Sequence, residues 1–327
     1  MNMKFTIGIK NIENLKKIKD AGINNVYCGY LDNIIVKKIP EAFCIINRRG
    51  ENSNIYGKRN FKKFALEAKK QGLNVYITFN GLYTSEQYGW LLEAIKYVSS
   101  FETVKGIIVC DIGLLLRLKQ INYNKHIVIS TGGTTFNSST VSFYKQFGIT
   151  RIVLDRQLKT NEIKSILEKH KDINFEIFIT FGNCLFVDGF CSFLHTMESQ
   201  EQNKKRFYNL NKEFTMCGQI YGAQIDNIYK IKNNSNKQYS IKLNDNFRGP
   251  VTGCNLCNIN KLKNFSDRII YKIVSRGNLF VDEINLIIPY LNKISNIESE
   301  KDKELIFKKI FSYSCNKTGC YANEEII

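Results

Sequence analysis

The sequence has no run of eighteen apolar residues, and its opening MNMKFTIGIKN contains no apolar segment of the kind a secretory signal needs. Both absences lead to the expectation of a cytoplasmic protein with no membrane contact, where thiols stay reduced. Cysteine is sparse for a disulfide scaffold, with ten among 327 residues, so clustered cysteines point to metal binding or catalysis. Histidine is scarcer: His126, His170 and His195 are the three, and they fall on different predicted elements. No Ser/His/Asp or Cys/His set for nucleophilic hydrolysis can be assembled from them. His126 opens a strand and His170 ends a helix, whereas His195, close after Cys191, is placed to line a site. Acidic residues are also short, 30 against 47 Lys and Arg, giving a formal net charge of +17. Such a surplus suits a polyanion such as RNA, but the lysines spread over ordinary outer helix faces and no Arg-rich block stands out.

What the chain has is alternation. Short β-rich apolar runs occur at 4–9, 25–30, 74–79, 106–111, 126–131, 151–155, 174–180 and 269–275. Between them lie stretches of helical period such as NFKKFALEAKKQG and TNEIKSILEKHK, several closing on a glycine (Gly22, Gly72, Gly148) suited to a left-handed C-terminal cap. Near-continuous apolar strands alternating with helices predict a parallel sheet, and eight of them predict an α/β fold of the (β/α)8 TIM-barrel type. An open doubly wound sheet is the alternative. Residues 1–180 and 265–312 are assigned to the barrel, including helices at 279–297 and 301–311, and 313–327 to a tail. The rhythm breaks at 181–264, a cysteine-bearing insertion with a hairpin-like pair inside it (AQIDNIYKIKN and NKQYSIKLNDN). Following the seventh strand's C-terminal end, it is placed over the face where barrels build active sites.

That insertion carries FGNCLFVDGFCSF, TMCG and TGCNLCN, hence Cys184, Cys191, Cys217, Cys254 and Cys257. Zinc sites usually show two close pairs, and only one CxxC is present. Iron–sulfur ligation tolerates irregular spacing and suits the apolar surroundings of Leu185, Phe186, Val187, Phe190 and Phe193. Iron–sulfur, zinc and plain buried thiols all remain open on spacing alone.

Three segments together resemble a known family. TTFNSSTVSFYKQFGITRIVLDRQLKTNEI (134–163), FEIFITFGNCLFVDGFCSF and CNLCNINKLKNFSDRIIYKIVSRG are similar, in order and spacing, to the hallmark segments of the collagenase-like peptidase family U32. The resemblance runs from about residue 4 to 277. It implies a barrel-like catalytic domain and, in its better understood branches, a [4Fe–4S] cluster used for oxygen-independent hydroxylation of ubiquinone precursors or of RNA bases, with prephenate as oxygen donor for the RNA enzymes. The expectation is therefore an iron–sulfur hydroxylase or related oxidoreductase acting on RNA, a small aromatic molecule or a peptide. A peptidase, or a non-catalytic subunit of a heterodimer, is the competing reading, and homo- or heterodimers are both compatible with it.

Carried over residue by residue, Cys184, Cys191 and Cys217 match cluster ligands. Tyr221 stands where many relatives have a fourth cysteine, so Cys257, at the family's Leu-Cys position, or Cys254 completes the set, with Cys44 more remote. If only three thiolates ligate, one iron site stays open. Ser275 replaces a family glycine, and Cys315 and Cys320 form a further close pair in the tail. For the chemistry, Arg156 at the end of strand six is suited to clamp a carboxylate or phosphate, an ordinary pair with Asp155 or Glu162 being the alternative. Glu176 is expected inside the barrel, paired with Arg156 or Lys272, and Arg156, Glu176 and His195 form the catalytic set. Asn80, Asp111, Lys272 and Arg276 are the substrate-binding candidates.

Overall fold

The computed structural model describes residues 3–33, 35, 53–180, 187–190, 230–232, 238–240, 254–274, 284–294 and 296–311. Eight strands form one ring: β1 (Lys4–Gly8), β2 (Asn25–Leu31), β3 (Asn74–Phe79), β4 (Val104–Val109), β5 (His126–Ile129), β6 (Arg151–Val153), β7 (Asn174–Thr180) and β8 (Ile269–Ile273). Each pairs in parallel with the next. The circle closes because β1 pairs on one edge with β8 (Lys4 opposite Ile270) and on the other with β2 (Thr6 opposite Asn25). The open doubly wound alternative is thereby excluded, and the (β/α)8 expectation stands. A short strand not anticipated from sequence, Asn54–Tyr56, takes the edge of β2 at Gly29–Leu31, beyond the end of its pairing with β1.

The strands are apolar on both faces because one face fills the barrel and the other carries helices. Those helices are α1 (Asn14–Asp20), α2 (Gly57–Lys70), α3 (Tyr88–Ser99), α4 (Ile112–Gln120), α5 (Ser138–Lys145), α6 (Thr160–Lys169), α7 (Ile284–Ile294) and α8 (Glu300–Phe311). In α2 the buried set Phe61, Phe64, Ala65 and Ala68 follows helical spacing, so one stripe faces the sheet. Phe61 meets Tyr30 edge-on at 5.0 Å and Phe101 at 5.5 Å. Burying one such ring contributes roughly 1.5–3 kcal/mol. Gly22, Gly72 and Gly148 have φ of +86°, +63° and +70°, so the predicted left-handed caps are formed. Gly106 has another reason: a Cβ there would stand 2.2 Å from the carbonyl oxygen of His126, so only glycine lets β4 and β5 approach.

In the insertion, Lys230–Lys232 and Gln238–Ser240 form the antiparallel pair the sequence suggested. Cys254 forms an isolated antiparallel bridge with Thr180, the last residue of β7, and Asn255 N donates to Ile179 O at 2.9 Å. The chain therefore returns from the insertion against the C-terminal end of β7.

Candidate functional site

Two polar clusters occupy the barrel at different depths. The deeper one centres on Glu176, the third residue of β7 and 1% exposed. Arg151 Nη1 donates to Glu176 Oε1 at 3.0 Å and Lys272 Nζ to Oε2 at 2.8 Å. The Lys272 ammonium lies 3.9 Å from the Tyr27 ring centre, and the Arg151 guanidinium 4.5 Å from that of Tyr76. Arg151 Nη2 also donates to the Tyr76 hydroxyl at 2.9 Å, which stands 3.1 Å from His126 Nδ1. Burial alone would raise the carboxyl of Glu176, but the charges of Lys272 and Arg151 outweigh it and hold the group below its usual range. His126 is lowered, by burial first and then by Arg151 and Lys105, which fits a neutral ring accepting from Tyr76. Strand parity brings these side chains inward: Glu176, Phe178 and Thr180 share one face of β7.

The second cluster lies where the strands end. Asp155, two residues past β6 and on the inward parity of Arg151 and Val153, is 3% exposed. Backbone N–H groups of Gln157 and Arg156 bond to its carboxylate, yet Oδ2 is buried with no hydrogen-bond partner among the described residues. Burial, then the negative charge of Asp188, pushes its carboxyl up to about 6. Arg156 lies with its guanidinium 4.5 Å from the Phe178 ring centre and donates through Nη2 to Asp188 Oδ2 at 2.9 Å. Thr131 Oγ1 donates to the same oxygen at 2.6 Å. Beside them, Asn80 Nδ2 donates to Ser130 Oγ at 3.3 Å, and the Cys110 thiol donates to Asn80 O at 3.1 Å. Thr180 Oγ1 is another buried oxygen with no hydrogen-bond partner among the described residues, next to the Cys254 bridge.

Several expectations are corrected in detail. Glu176 and Lys272 come together as expected, and Arg151 joins them; Arg156 lies instead against Phe178, two residues further along β7, and pairs with Asp188, which the sequence did not single out. Glu162 is no partner of Arg156, because its carboxylate accepts from Lys159 N at 2.7 Å and caps α6. Asp111 is the N-cap of α4: it accepts from Leu114 N at 2.6 Å, Tyr88 Oη at 2.8 Å and Tyr83 N at 3.3 Å, so both its oxygens serve the fold. Asn80 does reach the rim. Cys184, Cys191, Cys217, His195, Arg276, Cys44, Cys315 and Cys320 lie outside the described residues. Of the remaining ligand candidates, Cys254 is a core residue, 6% exposed, whereas Cys257 lies exposed in the turn Leu256–Asn258. Among the described residues no three or more His, Cys, Asp or Glu side chains gather as a metal site.

Comparison with known proteins adds the following. A family model described as peptidase family U32 matches residues 10–316. The tRNA hydroxylation protein P1 of Bacillus subtilis is 30% identical over 158 residues, covering 46% of this chain and 37% of the relative. The tRNA hydroxylation protein P of Haemophilus influenzae is 26% identical over 152 residues, 46% of this chain and 33% of the relative. An uncharacterized protease of Methanocaldococcus jannaschii is 27% identical over 183 residues, covering 54% of this chain and 40% of that protein. The matches thus span well under half the length of each curated relative. A solved U32 peptidase structure is similar with a TM-score of 0.43 and 13% identity, over 57% of this chain and 71% of that one.

Proposed function

Because the chain belongs to peptidase family U32, we propose that it takes part in oxygen-independent hydroxylation of tRNA, with the C-terminal mouth of the barrel as the reaction face and a [4Fe–4S] cluster as cofactor. The names of the relatives support the tRNA assignment. The observation that carries the reading is the bridge between Thr180 and Cys254. It joins the end of β7, four residues before Cys184, to the start of the CxxC, so both cysteine segments leave the same end of one strand. The described donors fit a thiolate-bound group there: Cys257 stands outside the core in a turn at this end, with Cys254 packed behind it. Cys184, Cys191, Cys217 and Cys257 would hold the cluster, which when bound would supply electron transfer, or an open iron as Lewis acid were only three of them to ligate.

The chain's own residues divide the remaining work. The Arg151–Glu176–Lys272 cluster fills the barrel below the mouth, with two cations sharing one carboxylate. Asp155 can hold or release a proton at Oδ2 near neutral pH, the range in which proton transfer is most efficient. Arg156 presents a guanidinium over the Phe178 ring, and a carboxylate of prephenate, the oxygen donor in this proposal, would compete for it with Asp188. The peptidase reading gains nothing from the described residues: His126 is bonded to Tyr76, and His170 caps α6.

The test is complementation of a bacterium that lacks its own tRNA hydroxylation, with digested tRNA analysed by mass for one added oxygen. Anaerobically purified protein is assayed in parallel for iron and sulfide. Hydroxylated tRNA with about four irons and four sulfides per chain is expected. Unmodified tRNA would sink the substrate, and an active protein free of iron would sink the cluster.

A further inference from the structure

We infer that Phe190 is a stacking platform for a nucleobase, displayed at the barrel mouth by a turn built to hold it there. The inference rests on the RNA reading above and adds a contact site to it. Phe190 ends the turn Asp188–Phe190 and is 81% exposed. Exposure of a single apolar residue carries no argument by itself. The construction of the turn does.

Its first residue is tied down at one carboxylate oxygen by both Arg156 and Thr131. Its second, Gly189, sits so close to the rim that a Cβ would stand 2.4 Å from Thr134 Cγ2 and 2.8 Å from the carbonyl oxygen of Gly132. Its third closes the turn through Phe190 N donating to Val187 O at 3.1 Å. A segment fixed at all three residues holds the backbone of Phe190, and so the direction in which its side chain leaves the chain, leaving the ring only its own side-chain rotations. The backbone beneath the ring is therefore held at the rim, two residues from the Asp188 that pairs with Arg156, so a ligand has little more than the side chain itself to order.

A nucleobase is the occupant that the surroundings favour. Every base has a face that stacks on an aromatic ring, and RNA is read mainly where unpaired bases can be splayed out. The insertion that begins here, residues 181–264, carries eleven Lys and Arg against six Asp and Glu, within a chain of net charge +17. That sign, like the charge of the whole chain, suits a polyanionic ligand. A protein partner would instead ask for a contiguous apolar patch, of which one ring is only a part.

The experiment measures binding of unfractionated tRNA to the full chain at low salt, with Phe190→Ala, Phe190→Leu, Phe190→Tyr and Phe190→Trp. Loss of one stacked base weakens binding by roughly 5- to 150-fold. Ala and Leu variants are expected to show that loss, and Tyr and Trp variants to bind as the parent does. The emission of Phe190→Trp, read against the parent whose one tryptophan is Trp90, is expected to be quenched by tRNA. A Leu variant that binds like the parent, or an unquenched Trp variant that still binds, overturns the inference. So does a change of oligomeric state on Phe190→Ala with tRNA affinity unchanged, which would make the ring a protein contact. A parent protein that binds no tRNA at low salt fails the RNA reading itself, a result distinguishable from the others.

Discussion

Arg156 Nη2 and Asp188 Oδ2 lie 2.9 Å apart although 32 residues separate them in sequence. Both side chains are mostly buried, at 10% and 18% exposure, so the pair is shielded from the screening that makes surface ion pairs weak. It fastens the turn carrying Phe190 to the end of β6.

Removing either partner should therefore loosen the same place. Arg156→Ala and Asp188→Ala are each expected to remove hydrogen-exchange protection at Phe190 N, the donor that closes the turn. In denaturant unfolding, the double variant should cost less than the sum of the two singles, by about 0.5–3 kcal/mol. Strict additivity would mean that the pair does not act as one unit.

Glu176 makes the opposite case, deep in the barrel. Replacing it with Gln leaves Arg151 and Lys272 buried without a counter-charge, and should cost about 3–5 kcal/mol in unfolding free energy. Its carboxyl is held below the ordinary value near 4.3, so its stabilisation is present above that pH and is lost as pH falls through the lower folded value. Parent protein should lose stability on acidification below about pH 4.5, and Glu176→Gln should lack that part of the slope. Parallel pH profiles for the two proteins would refute this.

For Asp155 the sign reverses. Its folded carboxyl is pushed up to about 6, against an unfolded value near 3.9. The folded state thus holds the extra proton between those values. Stability from this group is complete below about pH 4 and is lost as pH rises through about 6, by a few kcal/mol in all. Asp155→Asn should remove that decline and unfold at higher denaturant than the parent at pH 7. An Asn variant no more stable than the parent at pH 7 would show that the buried charge is compensated.

The two described cysteines of the CxxC should separate cleanly. Cys257→Ala is expected to abolish iron and sulfide while leaving the thermal midpoint of the apoprotein within a degree or two, since the residue lies outside the core. Cys254→Ala should keep the cluster and lower the apoprotein's stability by about 1 kcal/mol through the space left in the core. Iron analysis beside calorimetry decides it, and the reverse pattern would assign the ligand to Cys254.

How far the sequence revealed all this depends on the range of the interaction. The eight barrel strands were legible because each is a local run of β-branched and aromatic residues, and the glycine caps because left-handed backbone favours one residue type. Asn54–Tyr56 was missed because three residues carry too little pattern. Glu176 and Lys272 stood out as charges within apolar runs, but Arg151 opens its strand and looks like a solvated end. Asp188 and Phe190 sit among cysteines that drew attention to metal, and only the folded rim brings Asp188 to Arg156. Asp155 could have been found by counting alternate residues from Arg151 through Val153, which puts a carboxylate on the inward face.

The ring closure has a consequence for how this chain comes into being. Lys4 finds its neighbour Ile270 only after the long excursion at 181–264 has been synthesised. Until then β1 has one unpaired edge and β7 another, while the ribosome is still adding residues. Such open edges invite pairing with other nascent chains, and a sheet closed by its most distant strands forms late. Closure of the sheet is thus tied to the synthesis of β8, the last of its strands to be made.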